Sequence, residues 1–163
     1  MAAPTRPRPR TGSRVAAVQA LFQAEQGPTS PETVIDEFVR YRLGATEGDA
    51  SFDDGRVNEV DVKLFARIVR TATTEQDRID AMLSDALSAE WPIARLDPVL
   101  RALIRAGAAE LSMPDGPPAK VVINEYLDVA HGFFEGDEGR MANGVLDRLA
   151  HLLRPAEFPA PPA

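Results

Sequence analysis

Residues 97–111 read DPVLRALIRAGAAEL, and the architecture of the chain follows from them. Asp97 followed by Pro98 is a helix start. The carboxylate can accept from the orphan N–H groups of the first turn, and proline suits the first helical position, where its missing N–H is no loss. Val99, Leu103, Ala106, Gly107 and Leu111 then recur at helical spacing. The middle, Ala106-Gly107-Ala108-Ala109, has very small side chains. Small side chains let a neighbouring helix approach closely, so this helix is expected at the centre of a bundle, with Ala106 and Gly107 at a close contact.

The same grammar extends in both directions. Toward the N-terminus, residues 1–12 alternate proline and arginine and read as an extended, flexible basic arm. Ser13 is expected to cap a helix to about Gln26 with Val15, Val18, Leu21 and Phe22 on its apolar stripe. Ser30-Pro31-Glu32 starts a second helix carrying Val34, Ile35, Phe38 and Val39. Residues 44–57 form a Gly- and acid-rich loop. Asn58 is expected to cap a third helix bearing Leu64, Phe65, Ile68 and Val69. Thr74 with Asp77 resembles a capping box for a fourth, which bears Ile79 and Leu83 and ends at Trp91-Pro92.

Toward the C-terminus, Met113 to Pro118 is a proline-rich turn. Val121–Phe134 makes a sixth helix, with Val122, Ile123, Leu127 and Ala130 as core candidates. Met141, Val145, Leu146, Leu149 and Leu153 mark a seventh, and residues 155–163 read as a disordered tail. No alternating strand pattern or hairpin signal is present. The expectation is an all-α, seven-helix compact bundle: a flexible arm over 1–12, a helical domain over 13–154, and a tail over 155–163.

Composition narrows the function. The chain has 163 residues, 44% of them hydrophobic, enough for one domain with a sizeable core. It has no cysteine, which removes disulfides, thiolate metal sites and cysteine nucleophiles and fits a reducing cytoplasm. No apolar run is long enough to span a bilayer, and the N-terminus lacks the apolar core of a secretory signal.

The net charge of −7 is unevenly placed. Arg6, Arg8, Arg10 and Arg14 precede the first acid, whereas residues 25–163 hold 14 basic and 25 acidic side chains, a balance of −11. A cationic arm on an acidic body points to a local anion site. Arg14, at the expected helix start, is disfavoured by the helix dipole, and a bound phosphate would relieve that conflict.

Catalytic and metal motifs fail on spacing. His131 and His151 fall on different helices, and neither has an HExxH-type partner. Asp49, Asp53, Asp54 and Glu59 lack the glycine and terminal glutamate of a calcium loop. Gly132, Gly136 and Gly139 lie among acids, the wrong sign for a phosphate cradle. Ser13, Ser30 and Ser84 sit in no nucleophile elbow. No enzyme, metal or cofactor is expected.

Four segments carry a resemblance. Arg14-Val-Ala-Ala-Val-Gln-Ala-Leu-Phe22 looks like the first helix of the NusB family of transcription antitermination factors. Trp91-Pro-Ile-Ala-Arg-Leu-Asp-Pro98, with Leu103-Ile-Arg105 and Glu110-Leu111, resembles the family's central helix and its lead-in. Lys120-Val-Val-Ile-Asn-Glu125 and Asn143-Gly-Val-Leu-Asp147 are similar to its C-terminal motifs. Together they cover residues 10 to 154, in order.

The resemblance implies a seven-helix NusB-type fold. It also implies binding to the boxA segment of nascent RNA together with the ribosomal protein NusE. That pair joins the RNA polymerase antitermination complex that supports transcription of ribosomal RNA operons. The family's basic N-terminal stretch contacts RNA, which implies a role for Arg6, Arg8, Arg10 and Arg14, with Arg10 and Arg14 the best match. Thr11, Gly12 and Ser13 stand where members often carry Arg or Lys. The loop before the last helix implicates Asp137, Arg140 and Met141; an aromatic is often found where Met141 stands. The central helix takes part in NusE binding, which points to Leu100, Arg101 and Arg105, although some members have an acid where this chain has Leu100.

Two alternatives stay open at this point. NusB-like domains also precede the catalytic domain of certain ribosomal RNA methyltransferases. Only nine residues follow Arg154, so a complete enzyme of that type is not expected. A helical interaction protein that has lost RNA binding is the other.

Overall fold

The computed structural model describes residues 9–42 and 61–159, and among them every regular element is helical: α1 (Pro9–Gln26), α2 (Pro31–Tyr41), α3 (Val62–Thr74), α4 (Gln76–Ala86), α5 (Pro98–Leu111), α6 (Ala119–Phe133) and α7 (Glu138–Leu153). Short 3-10 turns cover Ile93–Arg95 and Pro155–Glu157. The expected seven-helix, all-α architecture is the observed one.

Helix α5 lies at the centre. Asp97 caps it, accepting from the N–H groups of Val99 at 2.8 Å and Leu100 at 3.3 Å. It packs against α1, α3, α4, α6 and α7 and is buried from Ala106 through Leu111. A helix apolar on nearly all sides has nowhere stable to sit but the interior. Gly107 marks the tightest approach: a Cβ there would lie 2.8 Å from Cδ2 of Leu146 on α7, which is itself fully buried.

Ser30 caps α2, with Pro31 in its first turn and the N–H of Thr33 3.3 Å from the hydroxyl. Phe38 of α2 stacks on Phe65 of α3, ring centroids 5.6 Å apart.

Several boundaries differ from expectation. Helix α1 begins at Pro9 rather than after Ser13. Ser13 is instead a buried residue of the helix body whose hydroxyl donates to the Asp61 carbonyl at 2.6 Å. Asp61 in turn caps α3 through the Leu64 N–H at 3.0 Å; Asn58 and the loop over 44–57, with the acids weighed as a calcium loop, lie outside the described residues. Thr74 does not cap α4. Only Glu75 separates α3 from α4, so Thr74 is still the last residue of α3 and Glu75 takes the capping position of α4, without a side-chain cap hydrogen bond.

The C-terminal boundary also moves. The Arg154 guanidinium donates to the carbonyls of Glu110, Leu111 and Met113 at 3.1–3.3 Å and to that of Pro117, satisfying orphan acceptors at and beyond the end of α5. Glu157 accepts from the Ala119 N–H at 2.8 Å and so caps α6, which follows a proline and has no side-chain cap of its own. Phe158 stacks on His151 at 4.0 Å. Residues 155–158 are thus part of the folded body rather than of a tail.

Candidate nucleic-acid interface

The basic N-terminal segment divides into two roles. Arg10 lies exposed in the first turn of α1 and forms no ion pair among the described residues; Arg6 and Arg8 lie outside them. Arg14, one turn further, is 2% exposed. Its Nε and Nη2 donate to the two carboxylate oxygens of Glu110 at 2.8 and 2.6 Å, a bidentate pair inside the bundle. Tyr126 donates its hydroxyl to Glu110 Oε1 at 3.0 Å. Glu125 Oε2 stands 3.4 Å from Arg14 Nη1 and accepts from the Thr11 hydroxyl at 3.0 Å.

Burial alone would push the Arg14 pKa down, but the hydrogen bond to Glu110 and the charges of Glu110, Tyr126 and Glu125 outweigh it and raise it. Burial first, and the Glu110 charge second, hold the Tyr126 phenol well above its ordinary value. The guanidinium is therefore locked in its charged form against an internal carboxylate. The expectation that Arg14 contacts RNA meets this obstacle directly, as does the reading of it as a cation at a helix start that needs a phosphate. It sits in the second turn, and its anion is Glu110. The signal was present in the sequence: Arg14 shares a face with Val18 and Leu21, and Glu110 shares one with Leu103 and Gly107, so opposite charges stood on two core stripes.

Asp137, Arg140 and Met141 come together at the start of α7. They line one surface depression of about 310 Å³ with Gly144 and Arg148 of α7 and with Trp91, which follows α4. Trp91 is 48% exposed. Sequence reasoning took Trp91-Pro92 as a helix breaker and as the start of the lead-in to the central helix, gave Trp91 no binding role, and passed over Arg148. No α1 residue lines this depression, so Arg10 belongs to a separate patch.

The central-helix residues are engaged internally. Leu100 is buried at 2% exposure, which leaves it no face for a partner. Arg101 donates to Glu25 and to the carbonyls of Ile93 and Leu96. Arg105 pairs with Glu25 and with Asp80, both at 2.8 Å. These two arginines clamp α1, α4 and α5 together. Beside them lies an open apolar depression of about 530 Å³ whose lining includes Val18, Phe22, Val99 and Phe133, with Arg42 at its edge. Phe133 is 40% exposed.

Among the described residues no group of His, Asp and Glu is placed to hold a metal ion, and no helix is long and apolar enough to cross a membrane. His131 and His151 lie exposed in the last turns of α6 and α7.

A family model described as NusB family matches residues 11–151. The chain belongs to the NusB family of transcription antitermination proteins. It is 67% identical over 153 residues to the transcription antitermination protein NusB of Granulibacter bethesdensis, covering 94% of each chain. It is 56% identical to that of Gluconobacter oxydans, covering 90% of this chain and 89% of the relative. The solved structure of T. maritima NusB superposes with a TM-score of 0.70 at 26% identity, covering 97% of this chain and 99% of that one. A solved structure of antitermination factors NusB and NusE in complex with dsRNA shares the fold with a TM-score of 0.68 at 21% identity, covering 87% and 96%. These relatives are antitermination factors and not enzymes.

Proposed function

We propose that this chain binds boxA-type nascent RNA together with the ribosomal protein NusE, in the cytoplasm, as part of the RNA polymerase antitermination complex that supports transcription of ribosomal RNA operons. The observation that carries the reading is family membership over most of the chain, together with a solved complex of NusB and NusE with dsRNA that has this fold over 87% of the chain. The charge distribution supports it. Eight arginines are ion-paired among the described residues. Arg10, Arg42, Arg95, Arg140 and Arg148 are not, and they lie exposed. Spare exposed cations on an acidic body are what phosphate contact requires.

The RNA contacts in this reading are Arg10, with Arg6 and Arg8 before it, and Asp137, Arg140 and Met141. Arg14 acts from within by holding the first turns of α1 against α5 and α6. For NusE, the apolar depression at Phe22, Val99 and Phe133 supplies the surface that buried Leu100 cannot, with Arg101 and Arg105 fixing the helices around it. Titration of labelled boxA RNA with the chain, with and without NusE, tests the reading. Binding that NusE tightens supports it, and no binding in either case refutes it.

A further inference from the structure

We propose that Trp91 is a stacking platform for one unpaired RNA base, seated in the depression between the end of α4 and the start of α7, with Arg140 and Arg148 taking the adjoining phosphates. The proposal rests on the RNA-binding reading above and adds a residue-level site to it.

Trp91 is the only tryptophan in the chain, and it stands half exposed beside a core that could have covered it. It is nonetheless held in place. Its N–H bonds the Ser88 carbonyl at 2.9 Å, Pro92 restricts its backbone from the other side, and the 3-10 turn Ile93–Arg95 follows at once. A tryptophan whose backbone is already fixed has only its side-chain freedom to lose on stacking.

The opposite wall is a single face of α7, where Arg140, Gly144 and Arg148 recur every fourth residue. Arg140 forms no ion pair among the described residues. Arg148 is anchored at one end only, through Nη1 to the Ala86 carbonyl. Gly144 lies between them with nothing to require a glycine: an added Cβ would meet only Arg148 Nη2, at 3.7 Å. A mid-helix glycine costs stability relative to alanine. Here the missing side chain leaves the floor of the depression open, which admits a flat ligand. Lone aromatic exposure would suit a protein partner equally. Two arginines free of ion pairs among the described residues, around an open floor, suit a base with its phosphates. Asp137 on the rim is an acceptor and favours a base with an exocyclic amino group.

The single tryptophan makes the test direct. The full-length chain is titrated with labelled boxA RNA in the presence of NusE, following label anisotropy and tryptophan fluorescence together. A matched titration of Trp91→Phe subtracts any signal from NusE. The expected result is quenching of Trp91 in step with binding by single-stranded RNA and not by a duplex of the same sequence. Trp91→Ala weakens binding roughly 5- to 150-fold, the worth of one stacked base, and Trp91→Phe retains most of the affinity. Gly144→Leu, on a solvent-facing helix position, keeps the thermal midpoint and weakens RNA binding by filling the floor. If RNA binds by anisotropy while Trp91 fluorescence and the affinities of Trp91→Ala and Gly144→Leu are unchanged, the platform is refuted and the RNA reading stands. Equal quenching by the duplex refutes an unpaired base. Absence of any anisotropy change in the wild type refutes both the platform and the reading beneath it.

Discussion

Removing the guanidinium of Arg14 strands the Glu110 carboxylate inside the bundle with only the Tyr126 hydroxyl left to it. Breaking one side of a buried ion pair costs about 3–5 kcal/mol, because the remaining charge stays desolvated. Arg14→Ala is therefore expected to lower stability by that order in denaturant titration. At a temperature where it is still folded, its RNA affinity should stay near that of the wild type. Arg10→Ala is expected to do the reverse: unchanged stability, weaker RNA binding, and a salt slope flatter by about 0.7 for one lost single-strand phosphate contact. Salt-dependent binding curves of the two variants, side by side, separate the structural arginine from the exposed one. A loss of salt slope in folded Arg14→Ala would show that the buried pair opens to the ligand.

At the scale of elements, contacts between helices set the stability. Gly107 on α5 faces Leu146 on α7 with no room for a Cβ, and Leu146 is surrounded. Gly107→Leu should overpack this crossing and cost about 1–3 kcal/mol. Adding Leu146→Ala should recover part of the loss, since the two side chains compete for one space. Additive losses in the double variant would mean that the two helices do not meet there.

The clamp of Glu25 on Arg101 and Arg105 gives a pH signature. The Arg101 hydrogen bond, against a smaller opposing effect of burial, holds the Glu25 pKa below its ordinary value. A carboxylate whose folded pKa is depressed stabilises the fold above its unfolded pKa, and that stabilisation is lost as pH falls through the folded value. The group is largely solvent-exposed, so the effect is about 1 kcal/mol or less. Glu25→Gln should be less stable than wild type at neutral pH, and the gap should close on acidification below the carboxylate range.

Elements like these were legible from the sequence where local chemistry fixed them. Asp97-Pro98 and Ser30-Pro31 start their helices as read, and the small residues of α5 mark its centre. The misreadings arose where a distant group supplied what local reading sought nearby. Ser13 looked like a cap because its true partner, the Asp61 carbonyl, is 48 residues away. The tail looked disordered because the carbonyls that bind Arg154 lie on α5 and in the turn after it. Arg14 was grouped with the basic arm, and its pairing with Glu110, 96 residues on, shows only when the core stripes of α1 and α5 are read together. Asp137, Arg140 and Met141, which the resemblance implicated together, line one depression at the start of α7. Trp91 was not joined to it, since 46 residues separate Trp91 from Asp137.

Across the whole molecule, charge decides what binds and with whose help. Outside its basic N-terminal segment the chain carries a balance of −11, which repels a polyanion over most of its surface. A partner that supplies cationic surface should therefore matter more to RNA affinity than any one arginine here. The apolar depression at Phe22 and Phe133 provides a place for such a partner to dock. Phe133→Ser, at a position 40% exposed, should leave the fold intact and weaken NusE binding, read by calorimetric titration of NusE into the variant. Unchanged NusE affinity would move the interface elsewhere.

The central claim, that this chain binds RNA as one half of a pair, is tested most directly by one measurement. Labelled boxA RNA is titrated with the chain at fixed salt, alone and with saturating NusE. The account predicts measurable binding that NusE tightens by roughly 5- to 150-fold, the usual range of coupling between two sites. Equal affinity with and without NusE, or no binding in either case, would contradict it.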